Sequence, residues 1–222
     1  MKFRHLELEQ ELEWSETTHL CELVVENRHF MRRLYEDLSV QEENPKVSIT
    51  EDGRPLEFEK QIDVVFNPLR LNFDNRRAVT TLLKLLVKTS LSEDFYITTN
   101  NLKAKILKYL DEIVNVEDFI FEVTTDDFAM DSLAKAVNMH IISDDDDFIE
   151  VLTDYCAMMT ELAGVKIFVL INLRSLINND ELERFHHNLD NHQIRALLIE
   201  NYDHGKNAKI PRILIDEDRC EI

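Results

Sequence analysis

Hydrophobic and polar positions follow three different rhythms along this chain. In the first 64 residues, Phe3 to Leu12 alternates apolar and polar for part of its length. Thr17 to Leu38 then has the apolar spacing of a helix, and Asn44-Pro45 and Asp52-Gly53 mark turns. This region predicts short strands around one helix. From Asp74 the period becomes helical throughout: Asp74 or Asn75 can cap, and Val79, Leu82, Leu83 and Leu86 fall on one face. Ser92 begins a break, after which Leu102, Ile106, Tyr109 and Ile113 repeat the spacing, and a third helix is expected over 127–137. The last third changes again. Val165 to Ile171 is a short, β-branched, continuous run that suits a strand buried on both faces. A helix from Asn178 to Asn191, with Leu182, Phe185 and Leu189 on one side, separates it from a second such run, Ala196 to Ile199. Strand, helix, strand at this length is a βαβ unit, which calls for a parallel sheet, and a helix over 143–162 would cover that sheet. The pattern therefore predicts a discontinuous α/β head, residues 1–64 and 138–222, with an inserted α-helical leg, residues 65–137.

Composition narrows the chemistry. The only glycines among the 222 residues are Gly53, Gly164 and Gly205, so neither a G-x-x-x-x-G-K-[ST] phosphate loop nor a G-x-G-x-x-G dinucleotide motif occurs. Cys21, Cys156 and Cys220 are odd in number and far apart, unlike a disulfide framework or a C-x-x-C pair. The first seven residues lack an apolar run, and the longest one elsewhere is strand-sized. Neither a secretory leader nor a membrane span is expected, and a reducing cytoplasm is the expected location.

The formal charge of −19 argues against a nucleic-acid ligand until it is divided. Residues 1–64 carry −8, residues 65–110 carry +5, residues 111–161 carry −14 and the remainder −2. A basic island thus precedes an almost purely acidic stretch. In the island, Arg77, Lys84 and Lys88 share a helical face, with Arg76 beside them, and on the next helix Lys105 and Lys108 share a face with Lys103 near it. Such a row can neutralise backbone phosphates without reading bases, or it is a solvated helix face. In the acidic stretch Asp118, Glu122 and Asp126 recur every four residues and Asp127 adds a fourth carboxylate. These are hard oxygen ligands of the kind calcium prefers, although no EF-hand loop is present, and a charged helix face is the alternative. Asp144 to Asp147 precede a helix and are read as its cap, while His186, His187 and His192 lack a zinc-ligand pattern and are read as surface residues.

Several stretches resemble the CRISPR-associated Csn-two proteins of type II-A systems. They are Val65-Phe66-Asn67 through Asp74-Asn75 to Leu86, Asp126-Asp127-Phe128 through Ser132-Leu133 to Ile141, and Phe168 to Asn172. Asn179-Asp180-Glu181, Leu197 to Glu200 and Ile213 to Asp218 complete the series. The likeness covers about two thirds of the chain in order, and Asn67 and Asn72 stand where the family has acidic residues. It implies an α/β head like that of P-loop nucleoside triphosphatases but lacking the phosphate loop, plus a helical leg. It also implies a homotetrameric ring that threads double-stranded DNA ends, calcium ions that hold the ring open, and a non-catalytic part in spacer acquisition (adaptation) and antiviral defence. The implied partners are the CRISPR integrase pair and the effector nuclease. Two other readings stay open: a metal-dependent nuclease using the acidic stretch, and an acidic regulatory protein that binds a partner and touches no DNA.

Overall fold

Short apolar runs become strands here wherever both faces can be covered, and amphipathic runs become helices where a polar side chain can cap the first turn. The computed structural model describes residues 1–40, 45–114 and 130–222. In chain order come β1 (Lys2–His5), β2 (Leu12–Glu13), β3 (Leu20–Val25), α1 (Arg28–Ser39), β4 (Val47–Glu51), β5 (Arg54–Pro55), α2 (Phe58–Gln61) and β6 (Ile62–Val65). Then follow α3 (Arg76–Ser90), α4 (Tyr96–Val114), α5 (Met130–Ala136), α6 (Phe148–Met158), β7 (Ile167–Ile171), α7 (Asn179–His192), β8 (Arg195–Glu200) and β9 (Arg212–Ile215). The chain divides into two compact units, residues 1–73 with 143–222, and residues 74–142. These boundaries fall later than the 64/65 and 137/138 junctions the sequence pattern suggests. Phe73 explains the first shift, because its ring stacks edge-on against Tyr155 of α6, 5.5 Å between centroids.

The larger unit holds two sheets. Strands β2, β1, β4 and β5 form a small antiparallel sheet in that order. Strands β6, β7, β8, β3 and β9 form a second sheet in which every pairing is parallel. The βαβ unit appears as β7, α7 and β8, with Ile167 opposite Arg195 and Ile171 opposite Ile199. Side chains of the parallel sheet alternate. Cys21, Leu23, Val25, Val169, Leu197 and Ile213 enter one core with Phe30 and Leu34 of α1 and with Phe3, Val47 and Ile49 of the antiparallel sheet. The opposite set includes Phe168, which meets Tyr155 of α6 edge-on at 6.4 Å. Trp14 stitches the layers together by donating its indole N–H to the Ala196 carbonyl at 3.1 Å.

The helix expected across Thr17 to Leu38 is two elements. Leu20–Val25 is a fully buried strand between β8 and β9, and only Arg28–Ser39 is helical. Asn27 separates them, its Oδ1 accepting from Phe30 N at 2.9 Å as an N-cap. Helical spacing was a false signal there because Glu22 interrupts an otherwise apolar run, mimicking the polar side of a helix. The other caps agree with the sequence. Asn178 and Glu181 close a reciprocal capping box on α7, and Asp147 caps α6. The final turn of α6 widens to π geometry over Met159–Ala163 and stops at Gly164, whose φ of +73° is left-handed.

Candidate nucleic-acid interface

Arg76, Arg77, Lys84, Lys88, Lys103, Lys105 and Lys108 of the basic island lie in the smaller unit. Asn75 starts α3, its Oδ1 accepting from Arg77 N at 2.9 Å. Ala78 and Ser90 are buried, Val79, Leu82, Leu83 and Leu86 are half-buried, and the helix packs on α5. At 3.6 residues per turn, Arg77, Lys84 and Lys88 fall within about 40° of one another, and Arg76 lies roughly 100° to one side. Arg76, Lys84 and Lys88 are exposed and Arg77 is half-buried. On α4, Lys105 and Lys108 are exposed and about 60° apart. Lys108 also reaches Glu112 one turn on, at 3.7 Å. Among the described residues no ion pair engages Lys84, Lys88 or Lys105.

Lys103 does not join this face. Two residues on a helix separate it from Lys105 by about 200°, and it is half-buried where Lys105 is exposed. The structure therefore groups three cations on α3 and two on α4, with Arg76 at the margin and Lys103 turned away.

The carboxylates assigned to calcium, Asp118, Glu122, Asp126 and Asp127, lie outside the described residues. Among the described residues no group of three or more His, Cys, Asp or Glu side chains is placed to hold a metal ion. Asp147, last of the four consecutive acids, accepts from Ile149 N (2.9 Å) and Glu150 N (3.3 Å), and Arg184 Nη2 donates to both its oxygens at 2.8 and 2.9 Å. The hydrogen bond from Arg184 holds its carboxyl below the usual range. His187 and His192 are exposed. His186 is half-buried, its Nε2 3.8 Å from Asp190 Oδ1, an oxygen that His19 Nδ1 approaches to 2.8 Å.

A buried charge network in the larger unit was not anticipated. Glu22 on β3 and Glu200 on β8 are 1% and 0% exposed, an uncommon fate for carboxylates without partners. Arg174, in the 3₁₀ turn after β7, serves both: its Nη1 donates to Glu22 Oε1 at 2.8 Å and its backbone N–H to Glu200 Oε1 at 2.9 Å. Its Nη2 reaches Asn179 Oδ1 and the His204 carbonyl. Arg212 lies 3.6 Å from Glu22 Oε2 and pairs with Asp203 at 2.7 Å. Burial pushes the Glu200 carboxyl up to about 8, against the pull of the Arg174 amide. Burial likewise raises Glu22, with Arg174 and Arg212 opposing. The available signal was an acid inside one apolar strand run, Glu22 in β3, and another at the end of a second, Glu200 in β8. Which arginines answer them is a matter of topology.

The architecture defines an α/β protein with an all-parallel five-stranded sheet and a separate helical unit carrying an exposed cationic face. The chain matches the family model of the CRISPR-associated protein (Cas_Csn2) over residues 39–219, and it belongs to that family. No curated protein matches it significantly. A solved structure of a Pyrococcus furiosus protein assigned as an ABC transporter ATP-binding protein aligns with 96% of this chain and 96% of its own, at 12% identity and a TM-score of 0.39. Among the described residues no helix is long and apolar enough to cross a membrane.

Proposed function

We propose that this CRISPR-associated protein binds double-stranded DNA ends as a non-catalytic, calcium-dependent homotetrameric ring during spacer acquisition, alongside the integrase pair and effector nuclease of a type II-A system. The observation that carries the reading is the placing of exposed Lys84 and Lys88, with half-buried Arg77, on one face of α3 and of exposed Lys105 and Lys108 on α4. In a chain of net charge −19, five cations on two helical faces suit phosphate contacts that ignore sequence. A ring would place them around the duplex while the surplus acids face solvent.

Self-association is supported by large apolar side chains left in water in the same unit, among them Ile97 (71% exposed), Tyr109 (62%) and Ile113 (47%). A head related to P-loop nucleoside triphosphatases but without their phosphate loop is supported by the connection from β3 to α1. It consists of Glu26 and Asn27 alone and contains no glycine. Calcium is supported by the chemistry of its donor set, four closely spaced carboxylates at Asp118, Glu122, Asp126 and Asp127.

Gel retardation of linear against covalently closed circular DNA of one sequence, with calcium present, tests the reading. Retardation of the linear form alone is expected. Equal retardation of both would refute threading over ends, and cleavage of either form would refute a non-catalytic role.

A further inference from the structure

At the carboxyl ends of β3 and β8 an open cleft of about 600 Å³ lies between the first two turns of α1 and the start of the β8–β9 connection. Crevices at the carboxyl edge of parallel strands are where open α/β sheets take their ligands. Two independent features give this one a chemical character.

The first is charge. Arg28 and Arg32 stand one turn apart on α1, both exposed, and among the described residues neither is engaged in an ion pair. Two guanidinium groups at that spacing present forked donors to one tetrahedral anion. Glu26 and Glu217 line the same cleft, so its formal charge is balanced and leaves no surplus positive charge to hold a highly charged anion. Neither acid takes part in an ion pair among the described residues, and both can accept from hydroxyl or amino groups of a ligand.

The second is shape. Tyr35 and Tyr202 line the cleft from α1 and from the β8–β9 connection. Tyr202 is 64% exposed, whereas Tyr35 is fixed: Asn172 Nδ2 donates to its hydroxyl at 2.9 Å. The Asn172 Oδ1 accepts from Asn201 N at 3.1 Å, so one asparagine ties both walls together. The sequence places that asparagine at the end of β7 in the left-handed conformation, φ 53°. An aromatic wall that is held in place suits stacking by a planar base.

We propose that this cleft binds a nucleotide bearing a single 5′-phosphate, the phosphate held between Arg28 and Arg32 and the base stacked on the tyrosines. The balanced charge and the absence of a glycine-rich loop select one phosphate over three. The site goes beyond the cationic face of α3 and α4 and does not depend on it. A free mononucleotide and the phosphorylated terminus of a DNA strand share this chemistry.

Titration calorimetry of the full-length protein with adenosine 5′-monophosphate, adenosine, inorganic phosphate and adenosine 5′-triphosphate tests the free ligand. Competition between 5′-phosphorylated and 5′-hydroxyl duplexes tests the terminus. Saturable monophosphate binding that falls at least tenfold in an Arg28→Ser, Arg32→Ser variant supports the site with a free nucleotide. A preference for the phosphorylated duplex that disappears in the same variant, while the Lys84→Ala, Lys88→Ala, Lys105→Ala variant keeps it, supports it with a DNA end. The inference is overturned if neither monophosphate nor terminal phosphate is distinguished, if the arginine substitutions change nothing, or if the triphosphate binds more tightly than the monophosphate. All the substituted side chains are on the surface, and an unchanged melting curve verifies that the variants are folded.

Discussion

Glu200 offers the most exposed test of how the head is held together. Its carboxyl is completely buried, accepts one hydrogen bond from the Arg174 amide, and has its other oxygen 3.8 Å from His204 Nε2. A folded pKa of about 8 against the ordinary 4.5 means the native state holds a proton that the unfolded chain releases. The sign follows from linkage: stability contributed by this group is intact below about pH 4.5, declines as pH rises, and is fully lost above about pH 8. At ~1.36 kcal/mol per pH unit the decline sums to roughly 5 kcal/mol. Glu200→Gln keeps an oxygen for the Arg174 amide and removes the ionisation. The variant should gain about 3 kcal/mol relative to the parent between about pH 5.5 and about pH 9. Urea denaturation followed by the fluorescence of Trp14, which is 2% exposed, measures the difference at each pH. Parallel stability profiles for parent and variant would refute the claim that this carboxyl is neutral in the folded protein.

The same network makes Arg174→Ala damaging, because it strands Glu22 in the sheet; a loss of about 3–5 kcal/mol in denaturant titrations is expected. Lys84→Ala, Lys88→Ala and Lys105→Ala together should weaken DNA binding and flatten the plot of log affinity against log salt by about 3, read by anisotropy over a potassium chloride series. Asp147→Ala should lower the urea midpoint through loss of the α6 cap and of the Arg184 contact, and leave calcium-dependent DNA binding unchanged in gel retardation. Replacing Asp118, Glu122, Asp126 and Asp127 by Asn should abolish the calcium-dependent change in sedimentation that a chelator produces in the parent.

Elements whose signal is local were legible before any coordinates. Asn75, Asp147 and Asn178 announce helix starts because a cap is satisfied within three residues of itself. The runs at β7 and β8 read as buried strands because nothing polar interrupts their interiors. The strand at Leu20–Val25 was misread because Glu22 is tolerated through Arg174, 152 residues away, and through Arg212, and no local window contains them. Lys103 was placed by nearness in sequence, where on a helix a separation of two residues means opposite sides. The cleft beside Arg28 and Arg32 was invisible for a similar reason. Its walls come from α1, the turn after β8 and Glu217 beyond β9, and they meet only when the sheet is assembled.

The order of strands in the parallel sheet also has a consequence during synthesis. Strand β3 is synthesised well before both of its neighbours, β8 and β9. Until residues 195–215 emerge, Leu20 to Val25 can be aligned by nothing in its final sheet and remains a sticky apolar ribbon with two bare margins. Assembly of the parallel sheet must therefore wait until β8 and β9 have been synthesised. Nascent chains stopped anywhere before β8 should be clients for chaperones rather than partly working proteins.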